Sequence, residues 1–415
     1  MNGITETDNR KRTAGKLVLL CALSYFVSYI TRVDLAAVLV AVQENDFASQ
    51  QQAVLALTLT ALAYGAGQLV SGWLGDRFDP RRVVLSGLAM TGICNLTAGA
   101  FGGISLVPLW ALNGLAQAFM WPPIVRILAA ELNREDYNRA VILVNFGGLF
   151  GTISVYLLSP LIIRHAGIRF VFWIFGCVAL LASVFWIFVS NRPMPGLKDV
   201  RPDAAVCDEI EGGKKKKALL FALILLAILV QGVLRDGVTN WTPTFISDSF
   251  GLDSTLSVLS GALLPLCGAA AYLLTGVLHK KLIRNELLCA AALFGLGALA
   301  AVLLRFAGGN SVLLSAFCLA VVAGSMHGVN LILICVIPPY FAKKGKVALI
   351  SGLMNAFVYV GSASATWGIP LITGEFGKDG YLDLCLVSAV FGCFACALAS
   401  AGWKKKKKEP DGSNG

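Results

Sequence analysis

Charged residues are scarce in this sequence. Only 14% of its 415 residues are Asp, Glu, Lys or Arg, whereas a soluble globular domain carries about 25%. Hydrophobic residues make up 57% of the chain, and its mean hydropathy is +0.74. This composition excludes a soluble globular protein. The apolar runs are also long and unbroken, which excludes the alternating strands of a membrane barrel.

Catalytic motifs are missing as well. The sequence contains no nucleophile elbow, no zinc-binding helix motif and no phosphate-binding loop. Of its 11 cysteines, only Cys207 lies in a polar loop. Cys393 and Cys396 form "CFAC" within an apolar run of membrane-spanning length, where cysteine packs as a small hydrophobic residue. We therefore predict that the protein is not an enzyme and needs no metal or cofactor. A membrane enzyme is the weakest alternative.

Nucleic-acid binding is not indicated by the net charge of +10. The basic residues lie in short connectors and in the two tails, and no basic domain interleaved with aromatic residues is present. The N-terminal "RKRTAGKLVLLCALSYF" lacks a small-residue cleavage site, so it predicts a first membrane helix rather than a signal peptide. We expect membrane lipids, and no nucleic acid, among the partners.

The apolar runs divide into segments of about 20 residues, the length that spans a bilayer. Twelve such segments are predicted, at 17–41, 53–75, 83–101, 105–131, 139–163, 168–189, 218–246, 253–278, 286–305, 311–341, 347–371 and 381–402. The fold class is therefore an all-α membrane protein with twelve transmembrane helices in two pseudo-symmetric six-helix bundles. The predicted domains are a cytoplasmic tail (1–16), an N-terminal bundle (17–189), a cytoplasmic linker (190–217), a C-terminal bundle (218–402) and a basic cytoplasmic tail (403–415).

The connectors predict the orientation in the membrane. Those after even-numbered spans are basic, for example "GDRFDPRR" and "HKKLIRNE", and both tails are basic too. The positive-inside rule then places both termini and the linker in the cytoplasm. "RHAGIR", with Arg164 and Arg169, is the one exception. We expect a multi-pass protein of a cell membrane, with an organelle membrane as the alternative.

Two arginines interrupt the apolar runs at matching places. Arg32 lies in the first span and Arg235 in the seventh, and each is roughly 24–27 Å of helix beyond its cytoplasmic lysines. An arginine at the centre of a span costs roughly 2.5–3.5 kcal/mol on insertion scales. Either arginine alone fits a snorkelling residue or one neutralised by a neighbouring acid, Asp34 or Asp236. The symmetric pair favours a substrate path, where two planar guanidinium groups clamp an oxyanion or a carboxylate.

Polar residues accompany these arginines. Tyr25, Tyr29 and Arg32 share one helix face, since they are spaced i, i+4, i+7. Tyr64 and Gln68 share a face of the second span. Their hydroxyl and amide groups suit either a polar ligand or hydrogen bonds between helices.

Several stretches resemble one family. "SGWLGDRFDPRRVVLSGL" resembles the loop between the second and third helices of the major facilitator superfamily. "YFVSYITR", "LNGLAQAFMWPP" at 112–123 and "LRDGVTNWTPTF" in the seventh span resemble the organophosphate:phosphate antiporters within it, which include glycerol-3-phosphate and hexose-phosphate carriers. The resemblance covers essentially the whole chain.

The resemblance implies roles for particular residues. Arg32 and Arg235 would hold phosphate, and the site tyrosines would be Tyr25, Tyr29, Tyr64 and Tyr359. Asp76 and Arg77 would form a charge network that latches one conformation, whereas a plain tight turn is the alternative for them. The family's carriers exchange inorganic phosphate for an organic phosphate by rocking the two halves about the site.

The sequence departs from that family at two cationic positions. Gln68 replaces a lysine, and after Asn145 a glycine, Gly148, replaces a histidine. Two fewer cations should weaken binding of a dianionic phosphate, or favour a monoanion or a carboxylate. His327 either contacts substrate or proton or is a structural hydrogen-bond partner. Asp34 and Asp236 either carry a coupling proton or neutralise their neighbouring arginines.

These observations predict a secondary active transporter of a small organic anion. The expected substrate is a phosphorylated metabolite, glycerol phosphate or a sugar phosphate, exchanged for inorganic phosphate by alternating access. Protons are the alternative counter-flux, and a monomer is expected. Two further alternatives are a transporter-like receptor for a sugar phosphate and a proton-coupled carrier of a carboxylate or a drug.

Overall fold

The computed structural model describes residues 2–190, 213–251, 254–307, 311–341 and 346–403. These residues are almost entirely helical. The predicted linker and the basic C-terminal tail fall largely outside them. The α-helices are α1 Asn2–Ala37, α2 Leu39–Glu44, α3 Gln50–Arg77, α4 Pro80–Phe101, α5 Leu106–Ala118, α6 Trp121–Glu131, α7 Arg134–Ala166, α8 Ile168–Ser190, α9 Lys214–Phe250, α10 Ser254–Lys281, α11 Glu286–Ala307, α12 Val312–Asn330, α13 Pro338–Phe341 and α14 Val347–Gly402.

Hydropathy and helix length agree with the predicted spans. Within the described ranges, ten helical stretches are long and apolar enough to cross a membrane. One of them, α14, has 56 residues and covers the last two predicted spans. Helix α10, with 28 residues, occupies the position of the eighth predicted span. The fold class is therefore the expected all-helical membrane fold.

Three local features depart from plain spans. The fourth span is divided into α5 and α6 by a break at Phe119 and Met120, ahead of Pro122 and Pro123. The tenth continues from α12 into a π-helix at Leu331–Val336. Helix α14 joins two helices at a kink within the connector expected between the last two spans, where Gly377 has the non-helical angles φ 64° and ψ −159°. Glycine is the residue that tolerates this conformation, because it lacks a Cβ.

The described chain forms two compact units. Unit 1 comprises 1–201 together with 344–356, and unit 2 comprises 202–343 together with 357–415. The first turns of α14 therefore group with unit 1. A core of buried apolar side chains in unit 1 surrounds Leu35, Trp110 and Phe172. The predicted domain boundaries remain a prediction.

Candidate functional site

In unit 1, aromatic rings surround Arg32. The guanidinium carbon lies 4.0 Å from the ring centroid of Tyr64 on α3 and 5.4 Å from that of Tyr29, one turn earlier on α1. Tyr25 packs edge-on against Tyr29, with ring centroids 5.0 Å apart, and its other neighbour is Trp121 at 5.3 Å. A ring face attracts a cation through its quadrupole. The structure thus brings the predicted residues of α1 and α3 together around one positive charge.

Gln68 lies one turn after Tyr64 on α3 and is fully buried. Its Oε1 accepts a hydrogen bond from Asn355 Nδ2 at 3.0 Å. Its Nε2 has no hydrogen-bond partner among the described residues. The position where the resemblance implies a lysine therefore offers a neutral N–H donor.

Gly148, at the position where the resemblance implies a histidine, faces the ring of Tyr29. A Cβ added at Gly148 would lie 2.8 Å from Tyr29 Cε2 and 3.0 Å from Cδ2. Real Cβ contacts are essentially never shorter than 3.0 Å. The tyrosine ring therefore occupies the space that a side chain at 148 would need. Asn145, one turn earlier, donates from Nδ2 to the Val141 carbonyl of its own helix.

A buried layer of hydroxyl and amide groups fixes α1 on its other side. Gln117 Nε2 donates to Thr31 Oγ1 at 3.1 Å and to Thr91 Oγ1 at 2.9 Å. Asn113 Nδ2 donates to the Thr31 carbonyl at 2.9 Å, and the Ser28 hydroxyl donates to Gln117 Oε1. Polar side chains commonly hold membrane helices together in this way. The layer ties the turn that carries Arg32 to α4 and α5.

Asp34 does not neutralise Arg32. Its Oδ1 accepts from the Leu35 backbone N–H at 2.8 Å, its Oδ2 has no hydrogen-bond partner among the described residues, and no part of the residue is exposed. Two residues of helix turn a side chain by about 200°, so positions i and i+2 face opposite ways. Of the two alternatives given for Asp34, the neutralising pair with Arg32 is therefore not formed in this structure.

In unit 2, Arg235 is held by two partners. Its Nε donates to Asp236 Oδ1 at 2.6 Å and its Nη2 to Asp236 Oδ2 at 2.9 Å. Its Nη1 donates to Oδ1 of Asn330, the last residue of α12, at 3.2 Å. Asp236 therefore forms a bidentate pair with its neighbouring arginine. This pair is formally neutral, whereas Asp34 does not form such a pair with Arg32.

Two predicted site residues of unit 2, His327 and Tyr359, and a further polar residue, Gln231, have the following surroundings. The His327 ring packs edge-on against Tyr272, with centroids 5.7 Å apart, and its Nδ1 has no hydrogen-bond partner among the described residues. Gln231, one turn before Arg235, is fully buried and donates from Nε2 to the Met326 carbonyl at 3.2 Å. Tyr359 is partly buried on α14.

Asp76 caps the first turn of α14 within unit 1. Its Oδ1 accepts from the Ala348 N–H at 3.0 Å and its Oδ2 from the Leu349 N–H at 2.7 Å. A carboxylate at a helix N-terminus pairs free N–H groups and complements the helix dipole. Its cationic neighbour is Arg126, with Nε 3.8 Å from Oδ1. Arg77 instead lies over the Trp73 ring, 5.1 Å from its centroid.

The turn after Arg77 is rigid because Asp79 is the N-cap of α4. Asp79 Oδ1 accepts from the Arg81 backbone N–H at 3.0 Å, and its Oδ2 lies 2.6 Å from Arg81 Nη2. Burial alone would raise the pKa of the Asp79 carboxyl, but the hydrogen bonds from the side chain and backbone of Arg81 outweigh it and lower that pKa below its ordinary value.

Sequence reasoning missed several partners. Arg126, Asn330, Asn355 and Trp121 were not among the predicted site residues, yet each contacts one of them. The sequence could have indicated Arg126, because it is a charged residue inside a predicted span. The two asparagines had none, because contacts across helices leave no local pattern. Within the described residues, no group of three or more His, Cys, Asp or Glu side chains could hold a metal ion.

Comparison with known proteins identifies the class. The model of the Major Facilitator Superfamily matches residues 19–366, so the chain belongs to that superfamily of transporters. The membrane sensor protein UhpC of Escherichia coli is 25% identical over 408 residues, covering 92% of each chain. A probable hexose phosphate transport protein of Chlamydia pneumoniae is 22% identical, covering 91% of this chain and 88% of that one.

The glycerol-3-phosphate transporter of Bacillus subtilis is 23% identical over 410 residues, covering 93% of this chain and 91% of the relative. Among solved structures, a bacterial homologue of the iron transporter ferroportin in an outward-facing state has a TM-score of 0.71 at 15% identity, covering 94% of this chain and 99% of that one. At this identity the likeness concerns the fold alone.

Proposed function

We propose that this protein is a secondary active transporter that exchanges a phosphorylated metabolite, glycerol phosphate or a sugar phosphate, for inorganic phosphate by alternating access. One observation carries the proposal. Each unit presents one arginine from an equivalent span, Arg32 on α1 and Arg235 on α9, and each arginine is oriented by fixed neighbours. Charged residues inside membrane segments usually mark a substrate path.

The geometry of Arg32 suits an oxyanion. The Arg32 guanidinium carbon lies 4.0 Å from the Tyr64 ring centroid. The planar N–H groups of a guanidinium match the oxygens of a phosphate. The unpaired Gln68 Nε2 adds a neutral N–H donor one turn from Tyr64.

The charges support a ligand of low negative charge. Arg235 is matched by Asp236, and Gln68 and Gly148 bring no cation. A monoanionic phosphate species, or a phosphate ester in its monoanionic form, therefore fits this site better than a dianion. The relatives support the substrate class, because one is named as a glycerol-3-phosphate transporter and another as a probable hexose phosphate transport protein.

In this proposal, Asp76 takes part in the change between the two states of alternating access. Its hydrogen bonds to Ala348 and Leu349 join α3 to the first turn of α14. Alternating access requires such contacts to form in one state and break in another. Asp76 therefore acts in gating, with Arg126 as its cationic neighbour.

The decisive assay measures uptake of radiolabelled phosphate into proteoliposomes preloaded with phosphate. Arg32→Ala and Arg235→Ala should each reduce exchange to the level of protein-free liposomes. Arg164→Ala, at an exposed arginine of α7, is the matched control and should leave it unchanged. Competition by glycerol 3-phosphate and glucose 6-phosphate then identifies the organic substrate. Exchange that survives both substitutions would refute the anion clamp.

A second candidate, a receptor for a sugar phosphate, is favoured by the match to a protein named as a membrane sensor. The same preparation separates the two functions. A receptor is stabilised against heat by glucose 6-phosphate, since a ligand that binds the folded state raises its stability, but it shows no exchange. Uptake of a carboxylate that phosphate does not inhibit would instead support a carboxylate carrier.

The proposal also covers the oligomeric state, the membrane and the orientation of the chain in it. We place the protein as a monomer in the cell membrane, with both termini, the 190–217 linker and the tail at 403–415 in the cytoplasm. The basic connectors after even-numbered spans support this orientation.

A further inference from the structure

An apolar groove lies on unit 2 between α10, α11 and α12. Its volume is about 440 Å³, which is within the range of small-molecule sites. No residue of the proposed anion site is among the described residues that line it. Its lining is almost entirely hydrocarbon, and the hydroxyl of Ser325 is already used, since it donates to the Val321 carbonyl at 2.7 Å. The groove therefore suits an apolar ligand.

Small residues form the floor of the groove. A Cβ added at Gly324 on α12 would lie 3.5 Å from the Cys267 carbonyl and 3.7 Å from Ala271 Cβ on α10, so the two helices approach closely there. The walls are larger side chains, namely Leu274, Leu278 and Leu282 from the α10 side, Leu293 and Leu296 from α11 and Phe317 from α12.

The groove is as long as one leaflet of a membrane is deep. Cys267 and Leu282 both line it, and at 1.5 Å per residue they are separated by roughly 22 Å. Half of a hydrocarbon core about 30 Å thick is about 15 Å. An acyl chain that enters at one end of the groove therefore stays inside it across its whole leaflet.

One end of the groove is basic. Lys281, Leu282 and Arg284 are exposed where α10 ends. Lys281 follows Leu274 and Leu278 by seven and three residues, so it continues their helix face. The N–H groups of Leu282 and Ile283 both donate to the Leu278 carbonyl at 2.9 Å, which fixes this turn. Two cations therefore lie where the apolar walls end.

The acid in this connector does not offset the two cations. Glu286 is the single Asp or Glu in the sequence from 277 to 289. It is fully buried, and its two oxygens accept from the Tyr340 hydroxyl at 2.6 Å and from Trp403 Nε1 at 2.9 Å. Because Glu286 is directed into the protein, the exposed surface of the connector stays positively charged.

We infer that this groove binds one acyl chain of an anionic phospholipid whose headgroup phosphate lies against Lys281 and Arg284. The inference does not depend on the proposed transport function. A soluble anion would match only the cations, and an apolar helix would match only the leucines. A phospholipid matches both, since its chain and its phosphate are joined at the depth where the groove meets the basic connector. Basic pockets between membrane helices bind anionic headgroups in this way.

Photocrosslinking in vesicles tests which lipid occupies the groove. The protein carries benzoylphenylalanine in place of Leu274 and is irradiated in equal parts of phosphatidylcholine and phosphatidylglycerol. Mass spectrometry should find about tenfold more adduct with phosphatidylglycerol. The same group in place of Leu398, an exposed leucine of α14 outside the groove, should attach both lipids equally. Equal labelling at Leu274 would overturn the headgroup contact, and crosslinks to a second protein chain would assign the groove to a dimer.

The contribution of the cations is tested by Lys281→Gln combined with Arg284→Gln, which should bring labelling from Leu274 to equality. Lys215→Gln combined with Lys216→Gln removes the same charge from exposed lysines of α9 and should keep the preference. A preference that survives the first pair of substitutions would refute the proposed headgroup contact.

Heat denaturation in detergent tests the groove itself. Added phosphatidylglycerol should raise the midpoint of wild type, because a ligand of the folded state stabilises it. Ala270→Trp, which fills the groove from an exposed position, should abolish the rise, whereas Ala397→Trp, on an exposed site of α14, should keep it. Any effect of glycerol 3-phosphate should be equal in Ala270→Trp and wild type; its loss together with that of phosphatidylglycerol would place the lipid in the anion site. If Ala270→Trp does not fold, the crosslinking result decides.

Discussion

The ring of Tyr64 supports the guanidinium of Arg32 from 4.0 Å. A cation–π contact contributes about 0.5–2 kcal/mol, more when the site is dry. Tyr64→Leu should therefore raise the KM for phosphate exchange about 2- to 30-fold, because 1.4 kcal/mol is a factor of ten. The measurement is the concentration dependence of exchange in proteoliposomes.

The matched control for this residue is Tyr64→Phe, which keeps the ring face and removes only the hydroxyl. If stacking is the main role, Tyr64→Phe stays within about threefold of wild type while Tyr64→Leu does not. Equal losses in both variants would show that the hydroxyl, and not the ring, serves the anion.

For single residues, the sequence predicted which side chains share a helix face better than it predicted which side chains they contact. The i, i+4, i+7 spacing placed Tyr25, Tyr29 and Arg32 on one face, and the structure shows them in contact. Adjacency in sequence was a poorer guide: Asp236 pairs with its neighbour, whereas Asp34 turns away from Arg32. Helix rotation explains the difference, and partners from other helices, such as Asn330, depend on packing that no local pattern records.

Among the helices, α14 depends on one glycine for its bend. Gly377 has φ 64° and ψ −159°, and its surroundings are open. A Cβ in this region costs on the order of 1–3 kcal/mol. Gly377→Ala should therefore lower the midpoint of heat denaturation in detergent. Gly374→Ala, three residues earlier, also has open space but no positive φ, so it should match wild type; equal midpoints for both variants would contradict the strain.

The Asp76 cap on α14 gives a second test at the scale of helices. Asp76 accepts from two N–H groups of its first turn, and an N-cap side chain contributes about 0.5–2 kcal/mol. Asp76→Ala should lower the midpoint of heat denaturation. Glu135→Ala, which removes an exposed carboxylate paired with Arg139, should change it little, since exposed pairs contribute about 0–1 kcal/mol. A larger loss in Glu135→Ala would exclude the cap.

Hydropathy located the helices well, because a bilayer demands long apolar segments and little else. It did not locate their irregularities. "GEFGKDG" was predicted as a connector, and the two helices joined in α14 do meet at a kink within it, at Gly377. The π-helix at Leu331–Val336 lies in a uniformly apolar stretch, and such a stretch carries no signal for a change in hydrogen-bond register.

For the whole molecule, the charge pattern predicts which ends face the cytoplasm. In a Cys207→Ser background, Asn45→Cys lies after the first span and Arg134→Cys after the fourth, and both positions are exposed. An impermeant maleimide added to intact cells should label the first and not the second. Permeabilised cells should show labelling of both. Labelling of Arg134→Cys in intact cells would invert the orientation.

Two pseudo-symmetric halves were predicted from the matching places of Arg32 and Arg235, and this duplication remains a prediction. The two compact units do not coincide with those halves, because 344–356 belongs to unit 1. The sequence could not indicate that 344–356 groups with unit 1, because this depends on close approach of backbones. A Cβ at Gly72 would meet the Ala348 carbonyl at 2.7 Å. The matching arginines also differ in their partners, so similar sequence positions do not imply equal electrostatics.

The contact between Gly148 and Tyr29 links α7 to the surroundings of Arg32. A Cβ at 148 would lie 2.8 Å from Tyr29 Cε2, so the tyrosine ring must shift or turn before a side chain fits there. The centroid of the same ring lies 5.4 Å from the guanidinium carbon of Arg32. A change at 148 therefore reaches the arginine through the ring, without touching the arginine itself.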